Sequence, residues 1–328
     1  MTPETISERE TKFALKLVDS SAKQFTAGNK IRLSDDYTIT PISTSFKSYY
    51  YQTKTEKKQI CLHFTVGMLT GDIATLTKEN NHMSVQYVVD RLGFIYRLFP
   101  DEYWSYHLGS TAIGGNTVMS KQSIGIEISN YGPLRLKDDK YVDAYGNTYT
   151  MDSSLVEPVS YRGYDYYAKM TIRQKEAVAR LLVYLSEKHN IPLVFKEGVG
   201  EVFKTAEEAV AYRGIFCHSN VRTDKFDLPP EMTLQIKDTL ESLIRKPKTR
   251  TPLVADEKPA EEPKETQKSE EPKADAVPEK HDYHVEENKN GEPVIVDKAV
   301  AAVATVAQVK TKTNWIRRIL GILRRFVK

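Results

Sequence analysis

Gln-Ile-Cys-Leu-His-Phe-Thr, residues 59–65, is the stretch on which the fold turns: a short, apolar, β-prone run with a histidine inside it. Downstream, Ser84–Asp90 (SVQYVVD) leads through Arg91-Leu92-Gly93 into Phe94–Phe99, the pattern of a hairpin with glycine at its turn. Ser123–Ser129 (SIGIEIS) alternates isoleucine with small or polar residues, as a half-buried strand does. The clearest helix runs from Ile172 to His189. Thr171 and Gln174 form its capping box, Val178, Leu181, Leu182 and Leu185 its apolar stripe, and Asn190-Ile191-Pro192 its end. Gly214–His218 reads as a further strand, followed by a loop containing Pro229-Pro230 and a closing helix, Met232–Ile244. Upstream, the first 25 residues read as an amphipathic helix with Ile6, Phe13, Leu17 and Val18 on one side. Strands mixed with flanking helices predict an α/β (α+β) fold, a mixed central β-sheet flanked by helices, and exclude a bundle or a barrel.

The chain has 328 residues, 40% hydrophobic and 28% charged, enough for a proper core and unlike a collagen, a coiled coil or a wholly disordered polymer. Two cysteines exclude a disulfide-stapled scaffold and a four-cysteine zinc module. Met1–Glu8 lacks a basic start followed by an apolar core, and no window holds eighteen consecutive apolar residues. Synthesis in the cytoplasm without a signal peptide is therefore expected.

Charge divides the chain. Between Asp256 and Pro293, 13 acidic residues face 6 lysines, with five prolines and few large aliphatics, so this segment reads as a disordered linker. From Lys298 to Lys328 there are eight basic residues and no acids. Within Asn314–Lys328, Trp315, Ile316, Ile319, Leu320, Ile322, Leu323, Phe326 and Val327 alternate with arginines and lysine at a period near 3.5, the pattern of an interfacial membrane helix. A helix docked on the body or a dimerising helix fits the same pattern. A nucleic-acid tail does not, because so many large apolar residues serve no phosphate contact. The expected organisation is an N-terminal helix and lead-in over 1–54, a catalytic domain over 55–245, an acidic linker over 246–297 and a cationic amphipathic helix over 298–328.

Of seven histidines, His281 and His284 fall in the linker and His189 ends a helix, where a cation suits the dipole. His63 and His218 each belong to an apolar β-run, and Cys217-His218-Ser219-Asn220-Val221-Arg222-Thr223-Asp224-Lys225-Phe226-Asp227 adds a carboxylate shortly after the second of them. Zinc in a hydrolase takes three such protein ligands and leaves one position open. Lys225, two residues before Asp227, projects to the same side in extended chain and could stabilise an oxyanion. On spacing alone, a hydrogen-bonded core histidine and a solvated Lys225–Asp227 pair fit as well. Cys61 and Cys217 read as small buried thiols; as a nucleophile, Cys217 would point to the wrong face, opposite to its neighbour His218.

Four pieces, ICLHFT at 60–65, VQYVVDRLGFIYRLFPDEYWSYHLG at 85–109, SIGIEISN at 123–130 and HSNVRTDKFDLPP at 218–230, stand in the order found in one family. Over roughly residues 55–245 the chain resembles the zinc-dependent N-acetylmuramoyl-L-alanine amidases that share their fold with the peptidoglycan-recognition proteins and include many phage lysins. The resemblance implies Zn²⁺ as cofactor, with His63, His218 and Asp227 as ligands. It implies Glu127 as the residue that orients or deprotonates the attacking water and Lys225 as the stabiliser of the tetrahedral intermediate. It also implies His107, with Trp104 and Arg222, as substrate contacts in the groove. The chemistry is coherent, since Zn²⁺ polarises an amide carbonyl and lowers the pKa of a bound water to roughly 7.

Two features depart from the family pattern. Where some members have a catalytic tyrosine this chain has Val85, which leaves the proton transfers to Glu127. Pro133–Lys169 is long and belongs to a stretch with eight tyrosines between Tyr131 and Tyr167, either an aromatic wall for sugar or stem peptide or a hairpin excursion packed on the body. The function implied is hydrolysis of the bond between the lactyl group of N-acetylmuramic acid and L-alanine, in a lysin-like enzyme that acts on peptidoglycan as a monomer. An anionic membrane surface would be its second partner. A cytoplasmic wall-recycling amidase, a non-catalytic peptidoglycan-binding module with a membrane-active tail, and a membrane-active protein carried by an inert body are the alternatives.

Overall fold

A computed structural model describes residues 8, 10–14, 25–245, 284–287 and 293–296. Along the chain come β1 (Thr26–Ala27), β2 (Ile31–Arg32), β3 (Thr38–Ser43), β4 (Gln59–Phe64), α1 (Leu69–Leu76), β5 (Tyr87–Val89), β6 (Ile95–Arg97), α2 (Asn116–Gln122) and β7 (Ser123–Ile128). They continue with β8 (Pro133–Lys137), β9 (Lys140–Val142), β10 (Thr148–Thr150), β11 (Val156–Tyr161) and β12 (Tyr164–Ala168). Last in this unit are α3 (Ile172–His189), α4 (Ala206–Ala211), β13 (Gly214–Cys217) and α5 (Pro230–Arg245).

The central sheet runs β1-β3-β6-β5-β7-β4-β13, with β2 also on β3. The β3/β6, β5/β7, β7/β4 and β4/β13 pairs are parallel, and β5/β6 is the antiparallel hairpin expected around Gly93. The mixed α/β architecture is thus present. Within the lead-in, β1, β2 and β3 join the central sheet, and Ile39 and Ile42 of β3 are buried. Of the N-terminal helix, Phe13 packs edge-on against Phe25 and Tyr96; Ile6, Leu17 and Val18 lie outside the described residues.

Every residue of β4 is buried, as a strand flanked on both sides by parallel partners requires. Register fixes its two faces. Ile60 and Leu62 lie beside Ile124 and Ile126, all inaccessible to solvent, each contributing about 1.5–3 kcal/mol by burial. That face meets the helices: Cys217 Sγ is 3.4 Å from Thr233 Oγ1 of α5, and α3 is pinned to the sheet by Gln174 Nε2, which donates to the carbonyls of Val89 and Ser129 at 3.2 and 2.9 Å. Thr171 caps α3 by accepting the Gln174 N–H at 3.0 Å, and Asn190 ends it in the left-handed region. On the opposite face lie Cys61 and His63, with Gly125 and Glu127 beside them. Along the rim strand β13, Phe195 bridges Ile215, with Ile215 N–H to Val194 O at 2.8 Å and Lys196 N–H to Ile215 O at 2.9 Å.

The long insertion forms a second, antiparallel sheet in the order β10-β9-β8-β12-β11. Its Tyr131, Tyr149 and Tyr167 are buried, which favours the packed excursion over an aromatic wall. In the segment read as a disordered linker, β14 (His284–Glu287) and β15 (Pro293–Val296) pair antiparallel. This pair belongs to a separate unit from the body. The amphipathic tail 298–328 lies outside the described residues. No helix among the described residues is long and apolar enough to cross a membrane.

Candidate functional site

His63 is the fifth residue of the buried strand β4, and His218 begins a short 3₁₀ turn (His218–Asn220) directly after the neighbouring strand β13. The loop that follows is tied back on itself by the Ser219 N–H, which donates to the Asp227 carbonyl at 2.8 Å. These two strands and one loop bring together three groups. His63 Nδ1 and His218 Nδ1 are 3.0 Å apart, and Asp227 Oδ2 lies 3.2 Å from His218 Nδ1 and 3.5 Å from His63 Nδ1. Their ligand atoms form one compact group, with all three residues buried.

The protonation of both rings follows from what their outer nitrogens touch. His218 Nε2 is 3.1 Å from the Leu108 carbonyl, which only accepts, so Nε2 carries the proton and a neutral ring leaves Nδ1 bare. On the His63 side, the Ser123 hydroxyl donates to the Met119 carbonyl at 2.6 Å. Its oxygen therefore accepts from His107 Nε2 at 2.9 Å, His107 Nδ1 becomes the acceptor, and His63 Nε2 donates to it at 3.0 Å. His63 Nδ1 is left bare as well. Gly125 makes room for this relay: a Cβ there would meet Val85 Cγ1 at 2.7 Å and His107 Nδ1 at 3.3 Å.

Two imidazole lone pairs and a carboxylate oxygen thus face one another, an arrangement that repels unless a cation joins it. Electrostatics agree with a neutral His63 ring. Burial, with His218 alongside, lowers His63 to about 4 against the pull of Asp227. Donors about 2.1 Å from a tetrahedral zinc lie roughly 3.4 Å from one another, close to the observed spacing. The outer hydrogen bonds set each ring's tautomer, as metal-binding histidines require. A second group, Cys61 with His63 and His107, also lies close together. It suits a cation less well: burial pushes the Cys61 thiol well above its usual range, and His107 Nδ1 and His63 Nε2 are already hydrogen-bonded to each other.

Glu127 stands beside His63 in the β4–β7 register, with Oε2 buried and unpartnered. Burial, then the nearby Asp227 and Asp72, push its carboxyl well above the ordinary value, and Lys225 partly opposes them. An exposed strand acid it is not. Lys225 and Asp227 are 7% and 5% exposed, which removes the solvated-pair reading of that loop. Its charge acts on both Glu127 and His63, so Lys225 belongs to the same neighbourhood.

The three residues expected in the groove are placed differently. His107 is the middle of the relay behind His63. Trp104 is 2% exposed, stacked on Tyr51 at 4.3 Å with Lys121 Nζ 4.9 Å over its ring, so an interior stack replaces the expected substrate contact. Arg222 is buried and forked onto Asp224 at 2.9 and 2.6 Å; its guanidinium holds the loop together where a substrate contact is expected. Val85, in place of a tyrosine, is buried against Gly125. Cys217 points away from the site toward α5, and burial raises its thiol to about 11, which excludes it as a nucleophile. Sequence reasoning missed Ser123. The signal was its position two and four residues before Gly125 and Glu127, on the same face of the same strand.

Residues 53–227 match the family model described as N-acetylmuramoyl-L-alanine amidase. Among solved structures, PlyL is similar at 14% identity over 61% of this chain and 94% of that one, with a TM-score of 0.35. A complex of the N-acetylmuramyl-L-alanine amidase AmiD from E. coli with anhydro-N-acetylmuramic acid-L-Ala-D-gamma-Glu-L-Lys is similar at 18% identity over 64% of this chain and 65% of that one, TM-score 0.37. The N-acetylmuramoyl-L-alanine amidase LysC from Clostridium intestinale is similar at 15% identity over 61% and 97%, TM-score 0.34. No curated protein matches. With a family match that spans more than half of its length, this chain belongs to the N-acetylmuramoyl-L-alanine amidase family.

Proposed function

We propose that the protein is a zinc-dependent, lytic amidase that cuts the bond between the lactyl group of N-acetylmuramic acid and L-alanine in peptidoglycan. The observation that carries this reading is the convergence of His63 Nδ1, His218 Nδ1 and Asp227 Oδ2 in one buried group. When bound, zinc supplies Lewis acidity, polarising the scissile carbonyl and making the attacking water more acidic. Glu127 takes the proton of that water and passes it to the leaving alanine nitrogen, a role for which its place beside His63 on the same face of the sheet suits it. Lys225 offsets the negative charge that develops on the carbonyl oxygen. Leu108, through its carbonyl, and the His107–Ser123 relay hold the two imidazoles in the tautomers that leave Nδ1 available.

The cationic segment 298–328 extends the proposal: it brings the enzyme to an anionic membrane next to the wall on which it acts. Mass spectrometry of purified peptidoglycan after incubation, with and without a chelator, tests the activity. Free stem peptides bearing an L-alanine amino terminus, lost on chelation, are expected. Intact muropeptides, with binding to the wall unaffected by chelation, would replace the enzyme by a binding module.

A further inference from the structure

We propose that Arg162, at the tip of the inserted sheet, is a positioning residue that holds the 218–227 loop in cation-binding geometry. The proposal rests on the metal reading above. Arg162 and Gly163 form the two-residue turn between β11 and β12, flanked by the Tyr161–Tyr164 pair, and both have positive φ, 48° and 84°. Such a turn prefers Asn-Gly or Gly-Gly, and an arginine at a left-handed position is costly for any residue with a Cβ. Here the side chain has a task that no smaller residue performs. Its Nη1 donates to the carbonyls of Arg222, at 2.8 Å, and Lys225; its Nη2 donates to those of Ser219, at 3.0 Å, and Gly200, at 3.4 Å.

Three of those four carbonyls lie between His218 and Asp227. The loop's ends are fixed by β13 and by the Ser219–Asp227 backbone bond, whereas its middle turns carbonyls toward the hairpin. A planar guanidinium with five N–H donors satisfies several of them at once, which an ammonium group at one point does not. Neighbouring contacts reinforce the clamp. Tyr161 Oη donates to the Gly200 carbonyl at 3.0 Å, Tyr167 Oη to the Tyr161 carbonyl at 2.8 Å, and Phe226 packs between Phe64 and Tyr164 at 6.0 and 5.7 Å. The insertion thereby acquires a purpose: it braces the segment carrying two of the three donors and Lys225.

Zinc affinity of the full chain, measured by competition with a chromophoric chelator, tests this together with the visible absorption of the cobalt-substituted protein. Arg162→Met is expected to bind zinc roughly 10- to 100-fold more weakly than wild type, with Arg162→Lys in between, and the cobalt bands are expected to shift. Zinc binding by both folded variants within twofold of wild type, with unchanged cobalt spectra, would overturn the proposal while leaving the metal site intact. Wild-type protein that takes up no zinc would instead overturn the metal reading itself. If the methionine variant does not fold, the lysine variant decides by the same criteria. If neither folds, the Arg162 guanidinium protons of the wild type decide: resolved NMR signals, slow to exchange and slower with zinc, are expected, and fast-exchanging averaged signals refute the clamp.

Discussion

Glu127 and His63 stand side by side on adjacent parallel strands, so a carboxyl group and an imidazole share one face of the sheet at the same level. Exchanging Glu127 for Gln keeps the shape and removes the proposed base. Glu127→Gln is expected to retain about one zinc per chain, measured by metal analysis, while peptidoglycan hydrolysis falls by about 10²–10⁴-fold. Retained hydrolysis would show that the proton is handled elsewhere.

On the proposed function, metal and stability are linked through the three facing donors. Zinc at about 100 times its dissociation constant adds about 2.7 kcal/mol to the folded state, which thermal unfolding reads as a higher midpoint. Chelator should reverse the rise. In His218→Ala the added zinc should leave the midpoint unmoved, and an equal rise there would point to a different site.

Gly125 is where the relay meets the strand. A methyl group at this position collides with Val85 and crowds His107. Gly125→Ala is expected to destabilise the fold by about 1–3 kcal/mol in denaturant unfolding and to weaken zinc binding. The double variant Gly125→Ala/Val85→Ala should recover part of the zinc affinity; no recovery would mean that the crowding is not what matters.

Outside the site's own residues, Glu10 is 2% exposed, accepts the Arg91 N–H at 3.1 Å, and has its carboxyl pushed up to about 8 by burial and then by Asp90. A raised folded value means that its contribution is fully present below the unfolded value of about 4.5 and is lost as pH rises through about 8. Denaturant stability should therefore decline between pH 5 and 8. In Glu10→Gln this part of the decline should vanish; an identical profile would assign it to other acids.

For the cationic tail, co-sedimentation with anionic vesicles compares the full chain with one that stops after Val296. The full chain should bind, and more weakly at high salt, because its lysines and arginines face screened charge. Equal binding by both would remove the membrane from the account.

Much of this was readable in the sequence because it is local. The QICLHFT and SIGIEIS runs declare themselves as strands by composition, and the helix after Thr171 by its cap and stripe. His63, His218 and Asp227 are separated by up to 164 positions, yet the ordered motifs that resemble the family bring them together on paper, and the parallel β4/β13 pairing does so in space. What escaped depends on burial. Nothing in the residue types says that Trp104 is stacked beneath Tyr51, that Arg222 is spent on Asp224, or that His107 donates backward to Ser123. Each outcome is a choice among partners made by tertiary packing. β1 and β2 were hidden for a similar reason: two-residue strands carry too few side chains for a period-two pattern to emerge.

At the rim of the central sheet, the strip from Val194 to Lys196 covers the outer side of β13. Without that cover the strand would offer its free amides and carbonyls to a neighbouring molecule, the usual route to edge-to-edge aggregation. His218 follows β13 directly, so a proteolytic nick in this strip would put solubility and catalysis at risk together.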